Sequence, residues 1–353
     1  MPDFKHVVII SDNIRGHYHQ SLGVAEWISR LSDAEVGEPV KIPEISGLKK
    51  FWKLKFTGRK IPERGPDFSK KWLRSLGISH KRFYPGTLFI SAGSSAAPFC
   101  LALAKATGGK SAVIMTPSIF GTKPFDYAII PEHDPHDLDA PKILTTLGAP
   151  NHINASLVQK TADSFFGHRN FKNKVVSVLI GGSDSNYMPD VKWANKILGE
   201  LSQFRDVTIL ITTSRRTPEE VERRVEEIFS SCPSIGYMLI LSRNPKVNAV
   251  TSILGAATHV LATEDSVSMV SEAVTAGFKV GLLRVPRITG PIKKALGYGT
   301  QRFDEMFEQM QSRGLIEDLG IEPDLDKFLS PDEQKHYQDF NEAKRAAEWI
   351  LNS

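Results

Sequence analysis

An α/β fold made of two Rossmann-like halves facing a cleft is what this 353-residue sequence predicts. Three observations lead there. Apolar β-runs alternate with helical patterns along the chain, which implies parallel sheets covered on both faces. Two strand–loop–helix junctions, Val7–His17 and Val178–Asn186, each stop an apolar run at small or polar residues and then open a helical pattern. The length allows two domains, each with its own core.

In the first half the strand-like runs are Val7–Ile10, Thr87–Ile90, Ala112–Met115, Tyr127–Ile130 and Ile143–Thr146. A helix beginning near His17 carries Leu22, Ala25, Ile28 and Leu31 at helical spacing. Ser94 and Ser95 are candidate caps of a second helix running to Gly108-Gly109. The second half repeats the pattern with runs at Val175–Ile180, Val207–Thr213, Met238–Leu241, His259–Thr263 and Val280–Leu283. Helices are expected at Val191–Phe204, with Ala194, Ile197, Leu198 and Leu201 on one face, and from Pro218, with Val221, Val225, Ile228 and Phe229 inward. Glu219, Glu220 and Glu222 suit the start of the latter. The domains expected are residues 1–162, with a basic insertion at 41–84, and 175–330, joined by a polar linker at 163–174. A last amphipathic helix, Pro331–Leu351, is expected to pack back across both.

Composition is that of a globular protein, 41% apolar and 24% charged. Cys100 and Cys232 fit a reducing compartment and offer no disulfide framework. The start lacks a signal peptide's basic and apolar regions, and no apolar run approaches a membrane span. A cytoplasmic protein is expected, peripheral on the inner membrane. The reason for the second clause is charge: residues 41–82 hold thirteen Lys and Arg against Glu44, Glu63 and Asp67. This is either a solvated basic surface or, because Phe51 and Trp52 interleave with Lys49, Lys50, Lys53 and Lys55, a segment for an anionic membrane surface. No nucleic-acid-binding motif accompanies it, so nucleic acid is not an expected partner.

The motifs point to anions. A helix start carries free N–H groups and the positive end of the helix dipole. At Gly181-Gly182-Ser183 two glycines let backbone amides approach a ligand, and Ser183 adds a hydroxyl; a plain tight turn is the alternative. In Thr263–Gly277 a strand feeds a helix through Glu264, Asp265 and Ser266. There the hydroxyls of Ser266 and Ser268 and the first amides suit a diphosphate, and Glu272, one turn on, suits ribose hydroxyls. Ser214 and Arg215 follow another strand and would reach phosphate or base. In the first half His17 and His19 stand where a helix begins, the place for a neutral imidazole acting as general base. Gly93, Ser94 and Ser95 form a small-residue turn on the same edge, for acceptor or phosphate or for close packing alone. Pro131–Asp137 is rich in acids and His, but its prolines and spacing argue against a metal, so no metal is expected; Asp134 remains a candidate catalytic carboxylate.

Gly16-His17-Tyr18-His19-Gln20-Ser21-Leu22-Gly23, Pro131-Glu132-His133-Asp134, Gly181-Gly182-Ser183, Thr213–Pro218 and Asp265-Ser266-Val267-Ser268-Met269-Val270-Ser271-Glu272 together resemble the elongated-mitochondria (mitochondrial fission protein) family. The resemblance runs over roughly residues 6 to 285 and departs at Asn151-His152, where His-Arg is expected. Plant members are implicated in recruiting a dynamin-like fission protein, and bacterial members are labelled sugar-nucleotide epimerases. The sequence has neither the first-strand glycine motif nor the Tyr/Lys pair of hydride-transfer epimerases. The architecture is similar to the GT-B glycosyltransferases, in particular the lipid II-forming N-acetylglucosaminyltransferase. That enzyme has a Gly-Gly-His turn like Gly16-His17, a Gly-Gly-Ser turn like Gly181–Ser183 and a ribose-holding helix like Ser268–Glu272.

The resemblance therefore implies transfer of sugar from a nucleotide-sugar, UDP-linked; the lack of a suitable Asp-x-Asp pair makes it metal-independent, and the basic, aromatic Lys49–Phe56 segment suggests a lipid or lipopolysaccharide-type acceptor. The nucleotide-sugar is a co-substrate, and no cofactor is expected. His17 is the expected base, with His19 or Asp134 behind it; Gly181, Gly182, Ser183, Ser214, Arg215, Asp265, Ser266, Ser268, Met269 and Glu272 are the expected donor site. Gly16 joins Gly93, Ser94 and Ser95 on the acceptor side. A non-catalytic scaffold and a non-hydrolysing epimerase drawing on Glu132, Asp134, Glu264 and Asp265 stay open as alternatives.

Overall fold

The structure is a computed structural model that describes residues 3–43, 47, 56–118, 121–134, 142–245, 247, 249–288, 301–336 and 338–353. The chain divides into two compact units, residues 1–152 with 341–353, and residues 153–340.

In the first unit β1 (His6–Ser11) is almost wholly buried, as a continuous apolar run in a parallel sheet must be. It leads into α1 (Arg15–Leu31). Two short strands, β2 (Glu35–Val36) and β3 (Val40–Lys41), pair with β1. Then come α2 (Pro66–Arg74), β4 (Thr87–Ala92), α3 (Ala97–Thr107), β5 (Lys110–Ile114), β6 (Tyr127–Pro131) and β7 (Ile143–Thr146). All pairings are parallel, and β4 lies on the other side of β1 from β2 and β3. The order of strands thus reverses between β1 and β4, which opens a crevice at their carboxyl ends.

The second unit begins with α4 (Ala155–Phe166), capped by Asn154, whose side chain accepts from the Leu157 amide at 3.0 Å. There follow β8 (Lys174–Leu179), α5 (Val191–Leu201), β9 (Val207–Thr212), α6 (Glu219–Phe229), β10 (Ile235–Leu239), α7 (Val250–Ala256) and β11 (His259–Thr263). Next are α8 (Val267–Thr275), β12 (Val280–Leu283), α9 (Gln301–Ser312), β13 (Ile316–Asp318) and α10 (Leu325–Leu329). The sheet order β10-β9-β8-β11-β12-β13 is parallel throughout and reverses between β8 and β11.

Several expectations shift. Of the α1 positions, Ala25 and Ile28 are buried, but Leu31 is 43% exposed. The expected linker at 163–174 is largely the end of α4 and the run into β8, and the division falls at residue 152. The reason is that α4 packs on α7, so close that a Cβ on Gly255 would lie 2.0 Å from the Val158 carbonyl oxygen. The last helix, α11, spans only Glu342–Asn352 and buries Ala343, Ala346, Ala347 and Ile350 with the α1 residues Val24, Ala25 and Ile28. Residues 334–336 instead pair with the second unit, Gln334 giving its carbonyl to Lys279 and His336 its amide to the Gly277 carbonyl. The basic insertion acquires structure from α2, whose Trp72 packs on Phe99 of α3 with ring centroids 5.0 Å apart.

Candidate functional site

In the first unit the chain leaves β1 through Ser11 and Asp12 and enters α1 with no side-chain cap. Asn13 takes a left-handed φ of 65° to make that turn. Asp12 Oδ1 accepts from the Ile14 amide at 3.1 Å, and Asp12 Oδ2 lies 2.8 Å from His17 Nδ1. The Asp12 side chain is 3% exposed against 25% for His17. An ionised carboxylate only accepts, so Nδ1 carries the proton and Nε2 is left as the basic nitrogen. Gly93, at the end of β4, has φ +77°, and a Cβ there would stand 2.5 Å from His17 Cε1. The imidazole therefore lies on the bare Cα of Gly93.

Ser94 Oγ accepts from the Ser118 amide at 2.9 Å, and Ala96 is the N-cap of α3 with no side-chain bond. The expectation that Ser94 or Ser95 caps this helix is thus corrected. Gly16 has open space in front of it, with no atom within 4 Å of a Cβ. His19 lies against His152, the rings tilted at 56° with centroids 4.3 Å apart, and burial, then His152 and Arg15, lower its pKa to about 4. Such an imidazole stays neutral at pH 7 but is a weak base. Asp134 Oδ2 accepts from the Thr116 amide at 3.4 Å, and Oδ1 lies 3.9 Å from His133 Nε2. It follows β6, two strands away from β4. Sequence reasoning missed Asp12 and His152; an Asp at the strand end, five residues before a helix-start His, was the available signal for the first.

In the second unit the loops after β8, β9 and β11 lock together. The Gly181 amide donates to Thr263 Oγ1 at 2.8 Å, the Gly182 amide to Asp265 Oδ2 at 2.5 Å and the Ser183 amide to the Arg216 carbonyl at 2.9 Å. A Cβ on Gly181 would lie 2.0 Å from Asp265 Oδ2, and one on Gly182 2.1 Å from the Arg216 carbonyl carbon. These glycines are required by loop-on-loop packing. The amides expected to cradle phosphate are already occupied, which corrects that expectation. Thr217 Oγ1 donates to the Gly181 carbonyl at 2.5 Å and accepts from the Ser214 amide at 2.9 Å. Burial raises the Asp265 pKa, against the hydrogen bonds from Thr263 and Gly182 and the charge of Arg216. Arg215 is exposed and makes no hydrogen bond or ion pair among the described residues. Its neighbour Arg216 has its guanidinium at the Ser183 and Asp265 carbonyls, 3.4 Å each, and near the Asp184 and Asp265 carboxylates at 3.6 and 3.7 Å, and stays 45% exposed.

What remains open for an anion is the start of α8. Ser266 is its N-cap and makes no side-chain cap bond, and the first amide to bond within the helix is that of Val270, to the Ser266 carbonyl at 3.1 Å. The amides of Val267, Ser268 and Met269 carry no hydrogen bond among the described residues. Val270, Ser271, Ala273 and Val274 face the core, while Ser268 and Glu272, one turn apart, are half-buried on the other side. Glu264 is different from the expected cleft carboxylate. It is fully buried and accepts from Arg284 at 2.6 Å, Arg287 at 2.5 Å and the Val285 amide at 3.0 Å.

The membrane-surface segment Lys49, Lys50, Phe51, Trp52, Lys53 and Lys55 lies outside the described residues, as do Pro135–Asp139. Among the described residues no group of three His, Cys, Asp or Glu could hold a metal ion, and no helix is long and apolar enough to cross a membrane.

Comparison with known proteins adds a family and a fold. A family model described as Mitochondrial fission ELM1 matches residues 15–353. No curated protein sequence matches the chain. Among solved structures, a candidate UDP-N-acetylglucosamine 2-epimerase from Listeria monocytogenes is similar over 99% of this chain and 95% of its own, with a TM-score of 0.53 at 11% identity. The UDP-GlcNAc 2-epimerase of Neisseria meningitidis, bound to UDP-GlcNAc, covers 99% of both chains at 13% identity with a TM-score of 0.49. The glycosyltransferase SnogD from Streptomyces nogalater is 12% identical over 99% of this chain and 100% of its own, with a TM-score of 0.45. At 11% identity the likeness to the Listeria protein is one of fold alone, two Rossmann-like α/β domains, in agreement with the strand orders above.

Proposed function

The chain belongs to the mitochondrial fission ELM1 family, and for this member we propose metal-independent glycosyl transfer from a UDP-sugar to a lipid or lipopolysaccharide-type acceptor of the cell envelope. The observation that carries the catalytic reading is the hydrogen bond between Asp12 and His17, 2.8 Å long, at the strand-order reversal of the first sheet. A purely structural surface has no use for a half-exposed imidazole whose tautomer is set by a near-buried carboxylate.

In this reading His17 Nε2 takes the proton of an acceptor hydroxyl as its oxygen attacks C1 of the donor sugar. The bond from C1 to the diphosphate oxygen breaks, and UDP leaves with the electron pair. Asp12 stabilises the imidazolium that forms. The open amides of α8, the Ser268 hydroxyl and the exposed guanidinium of Arg216 bind the departing diphosphate. Glu272 accepts from the ribose hydroxyls. Gly181, Gly182, Ser183 and Asp265 hold the loop that Arg216 rests on, and Ser214 shapes its base. UDP as the nucleotide is supported by the name of the Listeria neighbour. The basic segment 41–82 supports an anionic membrane surface, on which Lys49, Lys50, Lys53 and Lys55 would lie.

A thermal-shift series with UDP, GDP, CMP and ADP, free and sugar-linked, tests the donor site. Nucleotide at 100 times its dissociation constant adds about 2.7 kcal/mol of stability, and Glu272→Ala should abolish the shift. His17→Asn should keep the shift and lose acceptor-dependent UDP release. No shift with any nucleotide would leave the scaffold reading in its place. The epimerase alternative would draw on Glu132, Asp134 and Asp265, since Glu264 lies in an internal ion network.

A further inference from the structure

Glu264 sits between β11 and the turn that opens α8, and its side chain is fully buried. Its three donors come from the stretch after β12: Arg284, the Val285 amide and Arg287. The two guanidiniums are held in turn by other elements. Arg284 reaches Asp318 at the end of β13 at 2.5 Å and Asp304 of α9 at 3.0 Å, and Arg287 reaches Asp304 at 2.6 Å. Trp193 of α5 donates its indole N–H to the Arg284 carbonyl at 2.9 Å. A cavity of about 860 Å³ lies alongside, walled by Trp193, Glu264, Arg284, Arg287 and Asp304.

Ion pairs withdrawn from water are a poor way to gain stability, because desolvation offsets most of the attraction. Well-packed apolar residues would serve a core better. What a five-membered charge network does supply is direction, since each bidentate contact fixes an angle as well as a distance. Here the direction is imposed on one peptide turn. Glu264 donates its own amide to the Leu283 carbonyl, and Ser266, two residues on, donates to the Thr263 carbonyl. The turn carrying Asp265 and Ser266 is therefore fixed from both the backbone and the Glu264 side chain.

We propose that Glu264 is a positioning residue of the donor site: anchored by Arg284 and Arg287, it sets the turn that aims the open amides of Val267, Ser268 and Met269 at the nucleotide diphosphate. The inference rests on the donor-site reading above and adds a residue that makes no contact with the ligand. Asp304 belongs to the same network but holds the two guanidiniums from α9 rather than from the turn, so it serves as the internal comparison.

The experiment compares Glu264→Gln with Asp304→Asn in the full chain. Hydrogen exchange of the 264–272 peptide is read without ligand, and UDP affinity is read by calorimetry. Glu264→Gln should speed exchange of that peptide about tenfold and weaken UDP by about tenfold or more. Asp304→Asn should leave both within about twofold, although it loosens the same ion network. Equal effects of the two variants, or a normal peptide in Glu264→Gln, would overturn the proposal and leave Glu264 a structural ion. Should Glu264→Gln not fold, Arg287→Gln removes one of the three donors at a half-exposed site and is read in the same way. If the unmodified protein binds no UDP, the donor-site reading falls, while the exchange comparison still decides whether Glu264 sets the turn.

Discussion

Replacing Gly93 by Ala is the sharpest probe of the Asp12–His17 pair, because one methyl group acts on it in two ways. The backbone at Gly93 has φ +77°, which costs an L-residue about 1 kcal/mol. The new Cβ would also lie 2.5 Å from His17 Cε1, 2.8 Å from Nδ1 and 3.1 Å from Nε2. Atoms cannot stay that close. The ring is a side chain and swings away more easily than backbone would, so the clash is relieved by leaving Asp12. Losing a hydrogen bond to a charged carboxylate costs about 2 kcal/mol. The sum is about 3 kcal/mol, or roughly 6–12 °C in the melting temperature of a domain of this size. Acceptor-dependent UDP release should fall by about 10²–10⁴, the usual contribution of a general base. Long-range ¹H–¹⁵N spectra of the imidazole read the cause directly: the native protein should show the proton on Nδ1, and Gly93→Ala a mixture of tautomers. Ser94→Ala, one residue along, should change neither. An Ala variant that kept the Nδ1–H tautomer and full turnover would refute the account of this pair.

Other consequences follow from particular contacts. Gly182→Ala meets backbone, 2.1 Å from the Arg216 carbonyl carbon, and no side chain can yield; a loss of about 3 kcal/mol or more in the urea unfolding of the second unit is expected. Truncation after Phe340 removes α11 and uncovers Val24, Ala25 and Ile28, so limited proteolysis should cut the first unit well before the second. His19 titrates at about 4 when folded against 6.5 ordinarily, mainly because it is buried. The unfolded chain takes up this proton first as pH falls, so the stability tied to neutral His19 is complete above pH 6.5 and is lost on the way to pH 4. Melting temperatures of His19→Asn should decline less steeply than those of the native chain across that window.

The repeating strands were legible because a parallel strand buried on both faces must be a continuous apolar run. Ile143–Thr146, His259–Thr263 and Val280–Leu283 coincide with β7, β11 and β12. The short partners β2 and β3 were not legible, since two residues leave no period to read. Helix ends were legible where a cap has a chemical signature, as Pro218 shows before α6, and misleading at Ser94, whose hydroxyl has a closer partner in the Ser118 amide. Of the candidate site, the sequence singled out the start of α8, because Ser266, Ser268 and Glu272 stand at spacings that only a helix brings to one side.

What the sequence determined by itself, then, was the alternation of elements, the two junctions rich in small residues and the His at the start of α1. Those are local matters of period and backbone freedom. Only the tertiary structure decided how each polar group is used. Nothing near His17 in sequence says that its ring lies on Gly93, 76 residues away, or that Gly181 and Gly182 owe their identity to Asp265 and Arg216. Whether an amide, a carboxylate or a guanidinium is open to a ligand depends on which partners folding brings within 3 Å, and these come from distant parts of the chain. By that test Arg216, not Arg215, meets the loop after β8, Glu264 is taken up by Arg284 and Arg287, and the first amides of α8 remain open.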